Sequence, residues 1–130
     1  MIKKISLCPE SIYRPFGNYS HAIMDAKTGL LVTSGQLGIN RNGFIPDSFV
    51  EQTEICFDNI LSIIKDAELT LDHVVRVTAF VTDRKNFNDY MAVRDHYFKD
   101  VSVKPASTLL VVSGFTKPEF LVEIEILAQK

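Results

Sequence analysis

Apolar and polar residues alternate along the chain with two different periods, which predict helices in some segments and strands in others. The clearest helix begins after Ser48, which forms a capping box with Glu51. Its apolar stripe comprises Phe49, Thr53, Cys56, Phe57, Ile60, Leu61, Ile64 and Ala67. This helical spacing continues over about five turns. Residues 73–82 then change to a period of two, which is typical of a strand buried on at least one face.

A second helix and the remaining strands follow from the same patterns. Asp83 or Asn86 can cap this helix, because both side chains accept hydrogen bonds from backbone N–H groups. Its apolar stripe comprises Phe87, Tyr90, Met91, Tyr97 and Phe98. Residues 22–25 and 30–33 flank a turn in which Gly29 can take a positive φ, so they predict a β-hairpin. Further strands are predicted near residues 2–7, 106–112 and 121–127.

These elements interleave in an α+β order, which predicts one sheet covered by helices on a single face. The predicted order is three strands, a helix, a strand, a second helix and two final strands. The uncovered face of that sheet would expose rows of valine, isoleucine and leucine. We therefore expect a homo-oligomer that buries this face.

Length and charge narrow the classes of protein to which the chain can belong. It has 130 residues and a formal net charge of −2, which predicts a single domain over residues 1–130. The densest basic groups are the pairs Lys3-Lys4 and Arg84-Lys85, so we expect no nucleic-acid partner, since phosphate binding needs clustered cations. Apolar runs fall far short of the roughly 18 residues that span a membrane, and no signal peptide is visible. These features predict a cytoplasmic protein without a membrane partner.

The cysteines and histidines do not form a recognisable metal-binding motif. Cys8 and Cys56 are far apart and belong to no CxxC pair, so we expect two reduced thiols. His21, His73 and His96 share no ligand spacing with each other or with a cysteine. The sequence therefore predicts no metal site and no cofactor.

The predicted last strand carries two carboxylates on one face. Glu123 and Glu125 point to the same side, together with Leu121 and Leu127, because side chains alternate along a strand. Each carboxylate disfavours ionisation of the other, and partial burial would tune one of them as a general base. A solvent-exposed face with two inert acids fits the same pattern.

A short loop near the start of the chain collects polar groups of several kinds. Residues 16–21 combine a glycine turn with the phenol of Tyr19, the hydroxyl of Ser20 and the imidazole of His21. Such a loop can present hydrogen-bond donors to a small polar ligand. A capped turn in which Tyr19 only packs against its neighbours explains the pattern equally well.

Several segments in the same order resemble one known family. They are Pro15-Phe16-Gly17-Asn18-Tyr19-Ser20-His21-Ala22, Val32-Thr33-Ser34-Gly35-Gln36, Gln52-Thr53, residues 74–83, Pro105-Ala106 and Val122-Glu123-Ile124-Glu125. Together they resemble the RidA/YjgF family of reactive-intermediate (imine/enamine) deaminases, over nearly the whole chain. The resemblance implies a chorismate-mutase-like α+β fold, with a six-stranded mixed sheet and two helices on one face. It also implies a homotrimer with three clefts at its subunit interfaces.

The same resemblance implies the chemistry and the site. Active members hydrolyse 2-imino or enamine acids to 2-oxo acids and ammonia without a metal or cofactor. Their clefts are lined by residues that correspond to Tyr19, Gly35, Ser107 and Glu123 of this sequence. At Ser107 the active members carry an arginine, which binds the substrate carboxylate through two parallel hydrogen bonds.

The missing arginine puts the deaminase activity in question. Ser107 and Thr108 can each donate a hydroxyl to a ligand, but neither carries a charge. The cations nearest in sequence are Arg94 and Lys104. Arg94 can reach a cleft, and an arginine whose aliphatic stem packs along the helix edge explains its position as well. A further departure is Met91, where active members usually carry an asparagine.

The sequence therefore predicts a trimer that binds a small 2-imino or 2-oxo acid, with altered or reduced deaminase activity. In this hypothesis Glu123 and Tyr19 are catalytic residues. The substrate-binding residues are Ser34, Gly35, Ser107, Thr108 and Arg94. The alternative is a non-catalytic metabolite-binding or protein-interaction trimer. A role as an endoribonuclease or translation inhibitor ranks third, since the chain is slightly acidic.

Overall fold

The computed structural model describes residues 3–130 and confirms the predicted α+β order. The strands are β1 (Lys4–Leu7), β2 (Ala22–Asp25), β3 (Leu30–Thr33), β4 (Gln36–Leu37), β5 (Val74–Val81), β6 (Ala106–Val111) and β7 (Val122–Gln129). The helices are α1 (Phe49–Asp66) and α2 (Phe87–Tyr97). The predicted first strand also included residue 2, which lies outside the described residues. The prediction missed β4, which is only two residues long.

One mixed sheet contains all of these strands. Its order is β1-β2-β3-β7-β5-β6, and β4 pairs with β7 beyond the end of β3. The β5–β6 pair is parallel, whereas the other pairs are antiparallel. Since β6 pairs only with β5, it forms one edge of the sheet. The expected mixed sheet is therefore present, with β4 as a seventh strand beside the six that were expected.

The two helices pack on the same face of the sheet. From α1, Cys56, Phe57 and Ile60 are almost completely buried in the core that includes Val122 and Ile124 of β7. The side chains of β7 alternate between buried and half-buried, as expected for a strand with one covered face. The helices thus hold β7 in place and leave its other face uncovered.

Both helices begin after a residue predicted to cap them, Ser48 and Asn86, but the Asn86 side chain makes no capping hydrogen bond. Ser48 caps α1, as predicted, because its side chain accepts a hydrogen bond from the Glu51 N–H at 3.2 Å. Asp83 instead caps a 3₁₀ turn at Arg84–Asn86, where it accepts from the Lys85 N–H at 2.9 Å. The expected place of Met91 on the apolar stripe of α2 is wrong, since its side chain is 37% exposed.

The face of the sheet away from the helices carries exposed apolar side chains. Leu30, Val32 and Leu110 lie on this face and are 39%, 42% and 47% exposed. An uncovered apolar sheet face is typical of a subunit interface. This feature agrees with the expected homo-oligomer, which stays a prediction. No helix in residues 3–130 combines the length and apolar character needed to cross a membrane.

A buried glutamine fixes the start of β7. The Gln52 side chain donates to the carbonyls of Pro46 and Glu119, each at 2.9 Å. Its oxygen accepts from the Leu121 N–H at 2.9 Å. Because Leu121 is two residues before Glu123, these three bonds hold the backbone that carries this carboxylate.

Candidate functional site

Glu123 lies on the uncovered face of β7, as the alternation predicts, and its side chain is half-buried. Burial raises the pKa of Glu123, and the negative charge of Glu125 raises it further. No hydrogen bond from residues 3–130 offsets this shift in the pKa. A carboxylate of this kind accepts a proton more readily than an ordinary surface glutamate.

Gly35 allows the Glu123 side chain to lie directly against the backbone. Leu37 pairs with Glu123 across β4 and β7, which brings the loop before β4 over the carboxylate. A Cβ added at Gly35 would lie 2.5 Å from Cδ of Glu123. Any side chain at this position would push the carboxylate away from where it lies.

Ser34 fixes the same loop rather than pointing a free donor outward. Its hydroxyl donates to the Ser20 carbonyl at 2.7 Å, and its N–H donates to the His21 carbonyl at 2.8 Å. The proton of the Ser34 hydroxyl is therefore already used inside the protein. Its oxygen can still accept a hydrogen bond from a ligand.

Tyr19 stands at the mouth of a small cavity next to Gly35. Its side chain is 45% exposed, and its hydroxyl accepts a hydrogen bond from the Phe16 N–H at 3.2 Å. The cavity is also lined by His21. Tyr19 and Gly35 therefore line the same cavity, and Gly35 also lies against the Glu123 side chain.

His21 belongs to the framework of this region. Its Nε2 donates to the Tyr13 carbonyl at 2.7 Å, which leaves Nδ1 to accept from the Gln36 side chain at 3.2 Å. Burial lowers the pKa of His21, so the ring is neutral near pH 7. A neutral ring with both nitrogens bonded stabilises the loop and has no free nitrogen for catalysis.

Arg94 reaches Ser107 across the gap between α2 and the edge strand β6. Its Nη1 donates to the Ser107 hydroxyl at 3.1 Å. Its Nε and Nη2 both donate to the Asp95 carboxylate, at 3.1 and 3.0 Å. These groups lie at a cavity of about 400 Å³, which is also lined by Phe98 and Pro105.

Lys104 is occupied elsewhere, although it is the other cation at this cavity. Its ammonium donates to the carbonyls of Phe98, Lys99 and Val101 at 2.8, 3.3 and 2.6 Å. These carbonyls follow the C-terminal end of α2, where a cation is stabilising. Lys104 is thus a helix-capping residue, and all three of its N–H donors have partners.

Thr108 does not lie beside Ser107 in the same cavity. Ser107 pairs with Val77, which is buried beneath the helices, whereas Thr108 pairs with the half-buried Thr78. Because side chains alternate along β6, the two hydroxyls point to opposite faces. Only Ser107 contacts Arg94.

Apart from Thr108, the predicted site residues therefore form two separate clusters in one protomer. Tyr19, Ser34, Gly35 and Glu123 make up the first, which we call the Glu123 cluster. Arg94 and Ser107, with Tyr90 and Asp95, make up the second, which we call the Arg94 cluster. Strand β5 lies between β7 and β6, and Glu123 points away from the face that carries α2.

Sequence reasoning missed Tyr90 and Asp95 as members of the site. Tyr90 lies one turn before Arg94, and the guanidinium carbon is 5.8 Å from the centre of its ring. The spacing of four residues was a usable signal, because such pairs are neighbours on a helix surface. Asp95 gave no signal, since adjacent helix residues normally point in different directions.

The cysteines and the acidic side chains offer no metal centre in the part of the chain that the structure describes. No group of three or more histidine, cysteine, aspartate or glutamate residues is placed to hold an ion within residues 3–130. Cys8 is exposed and Cys56 is buried, and neither forms a disulfide. Burial raises the pKa of the Cys56 thiol well above its ordinary value, so it stays protonated.

Comparison with known proteins identifies the family. Residues 10–130 match the family model described as Endoribonuclease L-PSP. A RutC family protein of Aquifex aeolicus is 40% identical over 117 residues, which cover 89% of this chain and 91% of that protein. The Rid-family protein YyfA of Yersinia pestis is 31% identical with a TM-score of 0.91, covering 98% of this chain and 100% of that chain. The YjgF gene product of E. coli is 26% identical with a TM-score of 0.88, covering 97% and 98%.

The family model spans nearly the whole chain, and both the sequence relatives and the solved structures cover the complete fold described above. The family resemblance noted from the sequence motifs is thus confirmed. The chain belongs to the RidA/YjgF family, to which the L-PSP family model also corresponds.

Proposed function

We propose that this protein is a homotrimer that hydrolyses small 2-imino acids to 2-oxo acids and ammonia, at a lower rate than family members with an arginine on β6. The observation that carries the proposal is the Glu123 carboxylate. It is half-buried, its pKa is raised, and no donor within residues 3–130 occupies it. Membership of the family, and the resemblance of the site motifs to those of active members, support the same reaction.

The separation of the two clusters supports a site shared between subunits. In one protomer the Glu123 and Arg94 clusters lie on opposite sides of the sheet. A small substrate cannot contact both clusters of the same chain. The uncovered apolar face needs a second copy, and the edge strand β6 has an unpaired side. A ring of three copies would place the Arg94 cluster of one subunit against the Glu123 cluster of the next.

The proposed reaction needs one water molecule and no redox step. Glu123 accepts a proton from the water as its oxygen attacks the carbon of the C=N bond, and the C=N electron pair moves to nitrogen. The resulting carbinolamine takes that proton on nitrogen. Glu123 then carries the hydroxyl proton of the carbinolamine to its amine, the C–N bond breaks, ammonia leaves with that electron pair, and the C=O bond of the 2-oxo acid forms. Tyr19 closes the pocket and helps to exclude bulk water.

Ammonia release from freshly generated 2-iminopropanoate tests this proposal. Glu123→Gln keeps the shape of the side chain but cannot take the proton. Since general base catalysis contributes about 10²–10⁴-fold, we expect kcat/KM to fall by roughly 100-fold or more. Glu119→Gln is the matched control, because Glu119 has an exposed side chain just before β7, and it should keep the wild-type rate.

Two outcomes would contradict the proposal. A Glu123→Gln protein that keeps the wild-type rate would remove Glu123 from the mechanism. A wild-type protein that binds 2-oxo acids but does not accelerate ammonia release would instead be a non-catalytic metabolite-binding protein.

A further inference from the structure

We propose that Arg94 is the residue that binds the substrate carboxylate in this protein, and that it selects for small monocarboxylic acids. This inference deepens the proposed function and rests on it. It concerns a guanidinium that comes from α2, while the neighbouring strand β6 supplies only a neutral hydroxyl.

The guanidinium of Arg94 is held in place but not fully used. Arginine has five N–H donors, and three of those of Arg94 are bonded to Ser107 and Asp95. Two donors therefore have no partner within residues 3–130. Asp95 and Ser107 fix the plane of the guanidinium in the free protein. Binding an anion therefore costs less side-chain conformational entropy.

The Tyr90 hydroxyl lies behind the same two side chains, Arg94 and Ser107. Tyr90 is completely buried, and its hydroxyl has no hydrogen-bond partner of good geometry among the described residues. Burial raises the pKa of Tyr90 to about 12. The positive charge of Arg94 and the nearby Ser107 hydroxyl partly oppose this rise in the pKa. A buried hydroxyl without a partner of good geometry is unfavourable, so the position of the Ser107 hydroxyl matters to Tyr90 as well as to Arg94.

The charges around the cavity favour one negative group and oppose two. Two cations, Arg94 and Lys104, line it together with a single carboxylate, that of Asp95. A ligand with one carboxylate therefore meets a net positive charge. Asp95 is 70% exposed at its side chain, so a second carboxylate on the ligand would approach it and be repelled.

The rest of the lining indicates the size and character of the ligand. Phe98 and Pro105 give the cavity an apolar wall beside the guanidinium. A cavity of about 400 Å³ accepts a short aliphatic side chain next to the carboxylate. The ligand class is thus a small 2-imino or 2-oxo acid with one carboxylate and an apolar side chain.

Equilibrium binding of pyruvate and of its neutral analogue pyruvamide, measured by calorimetry, separates charge recognition from shape. The wild-type protein should bind pyruvate roughly 10- to 100-fold more tightly than pyruvamide, as expected for a bidentate charge-assisted contact. Arg94→Gln should lose this preference while keeping its affinity for pyruvamide. The matched control is Arg84→Gln, an exposed arginine just before α2, which should behave as the wild type.

Further arms of the experiment address charge and positioning. The wild-type protein should bind 2-oxoglutarate more weakly than pyruvate, and Asp95→Asn should reduce that difference. Ser107→Ala should weaken pyruvate binding a few-fold through its effect on Arg94, and Ser107→Thr should restore it by returning the hydroxyl. If Arg94→Gln melts early, Arg94→Lys replaces it, since lysine keeps the charge but not the planar fork.

The results distinguish this inference from the proposed function. An Arg94→Gln protein with the wild-type preference for pyruvate would overturn the inference, and ammonia release would still test the reaction. A wild-type protein with no preference for pyruvate over pyruvamide would overturn it as well. If pyruvate binding depends on Arg94 but no ammonia is released, the anion site stands and the proposed reaction fails.

Discussion

Gly35→Ala tests whether the Glu123 carboxylate must lie where the structure places it. The added Cβ would be 2.5 Å from Cδ and 2.7 Å from Oε2 of Glu123. Carbon atoms in contact are normally about 3.5–4.0 Å apart, so the carboxylate has to move by roughly 1 Å. The atoms that must move are the free end of a side chain. We therefore expect the fold to accept the change at a cost of about 1 kcal/mol or less in the free energy of unfolding.

The effect on activity should be much larger than the effect on stability. A displacement of about 1 Å in a catalytic group can lower a rate by about 100-fold. The measurements are kcat/KM for ammonia release and the thermal midpoint of unfolding, for Gly35→Ala and for Gly114→Ala as control. A Cβ at Gly114 would meet no atom within 4 Å, so this variant should keep both values. A folded Gly35→Ala protein with wild-type activity would refute the assigned position of Glu123.

Three further predictions concern the pKa of Glu123, the buried Gln52 and the capping Lys104. Glu123 must be ionised to act as a base, so kcat/KM should fall when the pH drops below the pKa of Glu123. Because that pKa is raised, the fall should occur at a higher pH than an ordinary glutamate would give. Glu125→Gln removes the neighbouring charge, so it should move this acid limb to lower pH, and an unchanged limb would exclude the coupling. Gln52→Met keeps the volume but removes three buried hydrogen bonds, and should lower the free energy of unfolding by about 2–4 kcal/mol in urea titrations. Gln129→Met, at an exposed position, should cost about 1 kcal/mol or less, and equal losses would contradict the role of Gln52. Lys104→Met should lower the thermal midpoint by uncapping α2 and should weaken pyruvate binding less than Arg94→Gln does, because its ammonium adds to the charge at the cavity but all of its donors have other partners. A loss equal to that of Arg94→Gln would show that Lys104 holds the anion.

Local patterns predicted most of the fold because each one reports a local physical preference. Ser48 and Glu51 mark a helix start because the Ser48 hydroxyl accepts a hydrogen bond from the Glu51 N–H. Gly29 has the positive φ that the hairpin turn requires. The alternation around Glu123 gave its face of the sheet, since that face depends only on the period of the strand. The two-residue strand β4 is too short to show a period, and only its pairing with β7 reveals it.

The Arg94 cluster could not be derived in the same way, because it depends on contact between separate elements. Arg94 and Ser107 are brought together only when α2 packs beside the edge strand β6. The direction of Lys104 was open in the sequence for the same reason, and it is decided by the carbonyls at the end of α2. The absence of an arginine at position 107 was visible in the sequence. Arg94 was only one of the two cations, with Lys104, that could take its place.

Mixing two variants in one trimer tests most directly the central claim that the Glu123 and Arg94 clusters of different subunits form one site. Glu123→Gln and Arg94→Gln subunits are co-expressed with different tags, isolated as mixed trimers, and assayed for ammonia release below KM. Each variant alone should be nearly inactive. In a ring of three, every mixed trimer has one pair of neighbours that combines an intact Glu123 with an intact Arg94, so one site in three is intact and about a third of the wild-type activity should return. Mixed trimers no more active than the separate variants, or a protein that light scattering shows to be monomeric, would contradict the account.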